Sequence, residues 1–316
     1  MPKIWDKDKL YLFLRNYVDL FVRASYSSLK IQGAVPKEGG AVIIAPNHCN
    51  TLMDALVVLQ SRRSGPTVFG ARADIFQNPR AALALRFLKI LPMARERDGT
   101  GLIRDSRYAF EEIDDTLANG VPFCFFPEGR HTPGYEVHPL KKGVARIALR
   151  SAALRPTVIV PAGICYSNFF KYRANCLLRY GEPLDVNAFI SARPELKEQE
   201  TSAALLQELH GRIQALVTPI KGPSAWRWLL LPLWPAAAIL SLPMWLTAEL
   251  ICRKVADRAF HNTVRFGVKL LLSPILLIIW ALVFYLTLPW WAATALLLLY
   301  FYSYSIFYEV CVGTSD

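Results

Sequence analysis

The sequence lacks the short motifs that mark several enzyme classes. It has no H-E-x-x-H pattern of zinc peptidases, no G-x-S-x-G nucleophile turn and no G-x-x-x-x-G-K-[ST] phosphate-binding loop. Its histidines show no metal-ligand spacing. Its six cysteines include no C-x-x-C pair, so they predict reduced thiols in a domain that faces the cytosol rather than a disulfide framework. We therefore expect neither a metal nor another cofactor.

Charged residues are also absent from two stretches near the C-terminus, 228–248 and 270–308. A membrane-spanning helix needs about 20 apolar residues. The second stretch would measure about 58 Å as a single helix, well beyond a bilayer core of about 30 Å, so two spans hinged near Pro289 fit better. The pattern predicts membrane-embedded helices at about 228–248, 270–288 and 290–308, within a region from 226 to 310. A soluble all-helical core is the alternative.

Positive charge is concentrated ahead of these stretches. Residues 1–225 hold 30 of the 36 Lys and Arg residues and 21 of the 25 Asp and Glu residues, which places +9 of the net +11 there. A basic domain can attract nucleic acid, an anionic lipid surface or a phosphorylated substrate. Because the C-terminal region is so apolar, we expect membrane lipids and not nucleic acid as partners.

The first 30 residues predict an amphipathic helix. Its apolar face comprises Leu10, Phe13, Leu14, Tyr17 and Phe21, and its charged face comprises Arg15, Asp19 and Arg23. Such a helix can lie in the membrane interface or pack on a domain. The sequence supports both interpretations.

Between residues 31 and 220, short apolar runs of strand character alternate with helical or polar stretches. The runs cover 41–45, 67–70, 122–126 and 157–164. This alternation predicts an α/β domain with a mainly parallel central sheet and surrounding helices. Ligands bind at the carboxyl ends of the strands in such sheets. A short linker, 221–224, leads from this domain to the membrane region.

His48 and Asp54 directly follow the first apolar run, in the segment P-N-H-C-N-T-L-M-D at 46–54. They are six residues apart, about 600° of helical rotation, so they cannot share one helical face and His48 must precede the helix. Thr51 is then the predicted N-cap and Asp54 the N3 residue of a capping box. In one interpretation Asp54 only caps the helix, and a backbone carbonyl satisfies His48. In the other, Asp54 holds one ring nitrogen while the second nitrogen removes a proton from a hydroxyl group.

A second polar segment, P-E-G-R-H-T at 127–132, follows the aromatic run 122–126. Gly129 lets backbone amides approach a ligand, and Arg130 can fork onto phosphate oxygens. Lys141 and Lys142 come shortly after, either as further phosphate ligands or as part of an exposed basic stripe. A third segment, at 92–99, offers Arg95 as another arginine directed at a phosphate.

These three segments, followed by V-P-A-G-I at 160–164, resemble the glycerolipid acyltransferase superfamily, the PlsC-like group that acylates glycerol-3-phosphate or lysophosphatidic acid. The resemblance covers about residues 30–185. It implies that His48 is the general base, that Asp54 orients it, and that no acyl-enzyme forms. It also implies that Pro161 lines the acyl site and that Arg95, Glu128 and Gly129 bind the phosphate of the acceptor. Beyond the resemblance, we expect the neighbouring polar residues to contribute to acceptor binding: Arg130, His131, Thr132, Lys141 and Lys142.

Two positions depart from the common pattern of this superfamily. Five residues rather than four separate His48 from Asp54, and the common E-G-T-R-S block is E-G-R-H-T here. The longer spacing is similar to that of a branch that includes fungal glycerol-3-phosphate acyltransferases and bacterial relatives. These departures affect the expected identity of the acceptor more than the expected acyl-transfer reaction.

The expected function is transfer of a fatty acyl group from acyl-CoA or acyl carrier protein to a hydroxyl of glycerol-3-phosphate or lysophosphatidic acid, in phospholipid synthesis. The expected location is the cell membrane, with the catalytic domain facing the cytoplasm. One alternative is an O-acyltransferase for another lysolipid, such as an acylated amino acid. Another is a non-catalytic, lipid-binding membrane scaffold.

The sequence leaves the membrane topology open. If 228–248 crosses the bilayer, five basic residues between 253 and 269 lie opposite the catalytic domain, against the positive-inside tendency. A re-entrant segment, broken at Pro232, Pro235 or Pro243, would keep them on the side of the domain.

Overall fold

The computed structural model describes residues 3–6, 8–36, 40–62, 65–93 and 100–311, with the backbone alone for 100–107, 225–227 and 311. Its strands are β1 (Leu29–Gln32), β2 (Ala41–Pro46), β3 (Val68–Arg72), β4 (Ile90–Met93), β5 (Phe123–Cys124), β6 (Thr157–Tyr166), β7 (Cys176–Tyr180) and β8 (Leu184–Asp185). Its α-helices are α1 (Lys9–Arg23), α2 (Thr51–Ser61), α3 (Pro79–Phe87), α4 (Thr100–Ala118), α5 (Lys142–Ala152), α6 (Val186–Ser191), α7 (Glu198–Leu216), α8 (Trp234–Cys252), α9 (His261–Thr287) and α10 (Trp290–Cys311). Short 3-10 helices cover Ala73–Phe76, Ala225–Leu233 and Arg258–Phe260.

The strands form one mainly parallel sheet in the order β1-β7-β6-β2-β5-β3-β4, with β8 paired to β6. Only the pairings of β6 with β7 and with β8 are antiparallel among the described strands. The predicted fold class, α/β with a mainly parallel sheet and surrounding helices, is confirmed. β2 lies at the centre, parallel to β5 on one side and β6 on the other.

The central strand shows why this sheet is buried on both faces. All six residues of β2 are buried, and successive side chains of a strand point to opposite faces. Val42 and Ile44 enter the core on the face of α1 and α2. Ala41 and Ile43 enter the core on the face of α4, α5 and α7. An apolar residue at every position is what a strand covered by helices on both sides requires.

Helix α1 presents its faces differently from the sequence expectation. Arg15 is buried and donates to the backbone carbonyls of Leu59, Arg62 and Gly65 at the end of α2. Several apolar residues face outward instead: Leu10, Phe13, Leu14 and Leu20. The helix is amphipathic as predicted, and Arg15 of its charged face packs on the domain, because the end of α2 has carbonyl groups there that need donors.

Three C-terminal helices are long and apolar enough to cross a membrane, over Trp228–Cys252, Arg258–Thr287 and Trp290–Val310. The predicted stretches 228–248, 270–288 and 290–308 overlap these three helices, although α9 begins at His261, well before residue 270, and the turn between α9 and α10 contains Pro289. The core on the α2 face continues into them through Leu240, Phe266 and Tyr304.

Helices α9 and α10 form an antiparallel hairpin whose open end contacts the α/β domain. Near the start of α9, the Asn262 side-chain amide donates to the Phe169 carbonyl at 3.0 Å. Near the end of α10, Glu309 accepts from Arg173 at 2.7 Å. Pro289 therefore lies at the end of the hairpin away from the domain.

Both ends of α8 send side chains to the domain end of α10. Trp234 stacks on Phe307 with ring centroids 6.1 Å apart, and Tyr308 donates to Glu249 at 3.3 Å. The preceding linker is still attached to the domain at Lys221, whose carbonyl accepts from Asn175 at 2.9 Å.

Candidate active site

The two chemistry-bearing segments lie side by side at the carboxyl end of the sheet. His48 follows β2, and the 127–132 segment follows β5, which is the parallel neighbour of β2. In such sheets the loops that follow adjacent parallel strands meet at one edge. The sheet therefore brings together two segments that are about 80 residues apart in the chain.

His48 and Asp54 form a hydrogen-bonded pair, with Nδ1 of His48 2.8 Å from Oδ2 of Asp54. The Asp54 side chain is fully buried, whereas 19% of the His48 side chain is exposed. Within the described part of the chain, Nε2 of His48 has no hydrogen-bond partner. One ring nitrogen is thus held by a buried carboxylate, and the other is free to meet a ligand.

Asp54 is fixed by more than the histidine. Its Oδ2 also accepts the backbone N–H groups of Cys49 at 2.8 Å and Asn50 at 2.7 Å. Its Oδ1 accepts the hydroxyl of Tyr166 at 2.9 Å. Burial raises the pKa of Tyr166 well above its usual value, so this phenol keeps its proton and remains a donor to Asp54.

The five-residue spacing is accommodated by an unusual backbone at Thr51. Helix α2 begins at Thr51 with Asn50 as its N-cap, so the predicted N-cap at Thr51 is wrong by one residue. Thr51 itself has φ 46°, a left-handed conformation that β-branched residues rarely adopt. With Thr51 in this left-handed conformation, the N–H groups of Cys49 and Asn50, which precede it, point toward the carboxylate of Asp54 in the first turn of α2.

The turn after β5 holds His48 by both of its backbone groups. The His48 N–H donates to Oε1 of Glu128 at 2.7 Å, and the His48 carbonyl accepts the N–H of Thr132 at 2.9 Å. The His48 ring stacks on Phe126, with centroids 4.3 Å apart. Gly129 has φ 70°, and a Cβ there would meet the Lys141 side chain at 3.2 Å, so the turn needs glycine.

Glu128 is buried, and both carboxylate oxygens are occupied by backbone donors. Besides His48, the N–H of His138 donates to Oε2 at 2.9 Å. Burial raises the pKa of Glu128, while these two N–H groups act in the opposite direction. In this arrangement Glu128 joins the loop of His48 to the segment around His138.

The predicted phosphate ligands surround this turn. Arg130, Lys141 and Lys142 are exposed. His131 lies edge-on to His48 with ring centroids 5.8 Å apart, and its Nε2 is 2.8 Å from Oδ2 of Asp257. The hydrogen bond from His131 lowers the pKa of Asp257, which favours its ionised form.

Two predicted residues do not join this group. Arg95 lies outside the described residues. Pro161 is buried within β6, opposite Ala45 of β2, and therefore lies below the surface on which His48 opens.

In the part of the chain that the structure describes, neither a cluster of metal ligands nor an exposed thiol lies beside His48. Among the described residues, no three His, Cys, Asp or Glu side chains are placed to hold a metal ion. Cys49 adjoins His48 in sequence but is buried, and burial raises the pKa of its thiol well above the usual value. It is therefore not a nucleophilic thiolate.

Sequence reasoning missed the residues that approach from elsewhere in the chain. Tyr166 is at the carboxyl end of β6, beside β2, and the strand-end rule applied to the run 157–164 would have found it. Asn47 binds the backbone of Ile164 with both atoms of its amide. Asp257 precedes the membrane helix α9, and no local pattern connects it to His131.

A protein-family model matches the part of the chain that holds this site. Residues 28–165 match the model of the family described as Acyltransferase, and this span holds His48, Asp54 and the 127–132 turn. The matched span is less than half of the 316 residues and ends within β6, so helices α6 to α10 lie beyond it.

Two curated yeast proteins are similar to parts of this chain. Over 108 residues the chain is 32% identical to glycerol-3-phosphate O-acyltransferase 2 of Saccharomyces cerevisiae, and the alignment covers 33% of this chain and 14% of the yeast protein. Over 139 residues it is 27% identical to glycerol-3-phosphate O-acyltransferase 1 of the same organism, covering 40% of this chain and 18% of that protein. The chain therefore spans less than a fifth of the length of these relatives.

Among solved structures, the chain is similar to the 1-acyl-sn-glycerophosphate acyltransferase PlsC from Thermotoga maritima. The TM-score is 0.46 at 20% identity, over 68% of this chain and 85% of the PlsC chain.

Proposed function

We propose that this protein transfers a fatty acyl group from an acyl thioester to a hydroxyl of a phosphorylated glycerol acceptor, with His48 as the general base. The observation that carries the proposal is the His48–Asp54 pair, buried on the Asp54 side and open on the Nε2 side. The donor is acyl-CoA or acyl carrier protein, and the acceptor is glycerol-3-phosphate or lysophosphatidic acid, in phospholipid synthesis.

The reaction needs a single base and no covalent enzyme intermediate. Nε2 of His48 removes the proton of the acceptor hydroxyl as its oxygen attacks the thioester carbonyl. The C–S bond then breaks, an ester forms, and the leaving thiolate takes the proton from His48. Asp54 keeps Nδ1 protonated and stabilises the imidazolium that forms between these steps, the role of the carboxylate in related triads.

The residues around His48 fix the position of its backbone and of its ring. Its backbone is held at both ends by Glu128 and Thr132, and its ring rests on Phe126, so the base cannot rotate away from the acceptor. Arg130, Lys141 and Lys142 provide positive charge along the same turn, and Arg95 remains a predicted contributor. Binding the acceptor phosphate there would convert binding energy into alignment of its hydroxyl with Nε2.

The membrane helices supply the environment for the lipid product. Large apolar side chains remain exposed on α8, α9 and α10, among them Ile239, Leu286 and Leu298. The outward residues of α1 give the domain a further apolar face suited to a bilayer interface. We place the protein in the cell membrane with the catalytic domain facing the cytoplasm.

One observation favours a second acceptor class. His131 stands where the common family block has arginine, and its ring is already bound to Asp257. An imidazole that is already hydrogen-bonded to a carboxylate is a weaker phosphate ligand than a free arginine, which suits a lysolipid without a phosphate, such as an acylated amino acid. A non-catalytic scaffold has less support, because a decayed site has no need to keep the His48–Asp54 pair at 2.8 Å.

Rates of acyl transfer with purified variants test the proposal. We expect wild type to acylate glycerol-3-phosphate or lysophosphatidic acid, and His48→Ala to lose about 10² to 10⁴ in kcat. Arg212→Ala is the control, since that side chain bonds Glu208 on an exposed part of α7 and activity should persist. Activity of His48→Ala near that of wild type would refute the proposed base. Preference for a phosphate-free lysolipid would assign the second acceptor class.

A further inference from the structure

The membrane region touches the catalytic loop at the one strained residue between His48 and Asp54. The hydroxyl of Thr51 is 2.8 Å from the hydroxyl of Thr263 in α9 and 3.3 Å from the carbonyl of Ala259, just before that helix. Thr51 is 5% exposed. These contacts join the first residue of α2 to the first turn of α9.

Thr51 needs such support. A β-branched side chain at positive φ crowds its own backbone, and conformations of this kind persist only where the surroundings hold them. Asn50, the N-cap of α2, makes no side-chain capping bond. The hydroxyl contacts with Thr263 and Ala259 are therefore the described polar contacts of the Thr51 side chain that can hold it in place.

The backbone at Thr51 in turn determines what Asp54 meets. Because the chain reverses at Thr51, the N–H groups of Cys49 and Asn50 both reach Oδ2 of Asp54, the oxygen that also binds His48. If Thr51 relaxed to an ordinary negative φ, these two donors would turn away and the carboxylate would lose its alignment with Nδ1.

The α8–α9 connection is attached to the domain at neighbouring points as well. Asp257 binds His131, and Asn262 donates to the carbonyl of Phe169 at 3.0 Å. Together with the contacts of Ala259 and Thr263 to Thr51, these bonds attach the start of α9 to the α/β domain beside the catalytic loop.

We propose that Thr263 of the membrane helix α9 is a positioning residue for catalysis, which acts by holding Thr51 in its left-handed conformation and thereby aligning Asp54 with His48. The proposal rests on the acyl transfer proposed above. It makes the membrane region part of the catalytic apparatus and not only an anchor, since a shift of α9 would be transmitted to the base.

The test uses full-length protein in lipid vesicles and variants that remove or keep each hydroxyl. We expect Thr263→Val and Thr51→Val each to lower kcat about fivefold, the factor of one neutral hydrogen bond, with KM unchanged for donor and acceptor. Thr263→Ser and Thr51→Ser, which keep the hydroxyl, should restore kcat. The double variant Thr51→Val with Thr263→Val should be no slower than either single variant, because the two substitutions remove the same contact.

One further variant tests the backbone conformation of Thr51 apart from its hydroxyl group, and another serves as a control. Thr51→Gly adopts positive φ without strain and should retain more kcat than Thr51→Val. Thr287→Val is the matched control in the same helix, because the Thr287 hydroxyl bonds only the Val283 carbonyl at the far end of the hairpin.

The outcomes distinguish this inference from the proposed function. If transfer depends on His48 but Thr263→Val turns over like wild type and Thr287→Val, the positioning role is overturned and the acyltransferase stands. An increase of KM with unchanged kcat would overturn it too, since it would show a binding contact. If no acyl transfer depends on His48, the proposed function fails and the positioning role fails with it.

Discussion

The proposed reactivity of His48 depends on residues that lie at different distances from it along the sequence. Asp54 comes from the following helix, Glu128 and Thr132 from the turn after β5, and Tyr166 from the end of β6. The first three lie in compact local motifs, so the sequence singled them out, but it predicted Glu128 and Thr132 as acceptor-binding residues and not as partners of the His48 backbone. Tyr166 became visible only when the sheet order placed β6 beside β2.

Removing the Tyr166 hydroxyl tests how much its bond to Asp54 contributes. We expect Tyr166→Phe to lower kcat about tenfold with little change in KM, because Oδ1 of a buried carboxylate loses a donor. Steady-state kinetics of the purified variant measures this. Tyr172→Phe is the matched control: it is another buried tyrosine, whose hydroxyl bonds Ser25 instead of Asp54. Equal losses in the two variants would show a general packing effect and contradict the specific role of Tyr166.

The longer spacing between His48 and Asp54 has a structural explanation in the backbone of one residue, Thr51. The extra residue between His48 and Asp54 does not separate them, because the reversal at Thr51 absorbs it. A pattern of residue types carries no information about a positive φ at a threonine. This part of the site could not be predicted from the sequence.

Among secondary-structure elements, the four apolar runs predicted β2, β3, β5 and β6, whereas β1, β4, β7 and β8 were missed. β2 and β6 follow continuous apolar runs. β1 and β7 contain lysine and arginine, respectively, and β8 has only two residues, so neither composition nor length distinguishes them from loops. The four predicted strands were nevertheless sufficient to place His48 and Glu128 at one edge of the sheet.

Helix α1 shows why periodicity predicts a helix more safely than it predicts the buried face. The pattern placed Arg15 on the charged face of the helix. In the structure its guanidinium donates hydrogen bonds to the carbonyl groups at the end of α2. The last carbonyls of a helix need donors, and a basic side chain there also interacts favourably with the helix dipole. A contact between two helices about 45 residues apart leaves no trace in local periodicity.

Replacing Arg15 should therefore destabilise the domain that carries Asp54. We expect Arg15→Met to cost about 2–4 kcal/mol, since buried carbonyls lose their donors and Asp19 loses its ionic partner. The thermal unfolding midpoint in detergent measures the loss. Arg23→Met, on an exposed part of the same helix, should change stability by less than about 0.5 kcal/mol. Equal midpoints for the two variants would contradict the capping role.

For the whole molecule, the contacts of α8 favour the re-entrant topology. Both of its ends send side chains to the domain end of α10, and the loop after it reaches His131. A helix that crossed the bilayer fully would carry one end away from the domain. If α9 and α10 form the crossing pair and α8 does not cross, the basic residues Arg253, Lys254 and Arg258 lie on the side of the catalytic domain, in agreement with the positive-inside tendency.

Labelling with a membrane-impermeant thiol reagent in sealed vesicles checks this topology. In a Cys311→Ser background, we expect Lys254→Cys to react together with Lys142→Cys on the catalytic domain. Leu288→Cys, at the far turn of the hairpin, should react only after the vesicles are opened or inverted. Labelling of Lys254→Cys together with Leu288→Cys would show that α8 crosses completely.

Acyl transfer through His48 can be tested by following free-thiol release from an acyl thioester with purified protein in vesicles, while mass spectrometry identifies the lipid product. We expect release to require an acceptor, to yield one acylated lipid for each thiol, to leave no acyl group on the protein, and to fall at least about 10²-fold in His48→Ala. Acceptor-independent release, a covalent acyl-enzyme, or an equal rate in His48→Ala would contradict the proposed reaction.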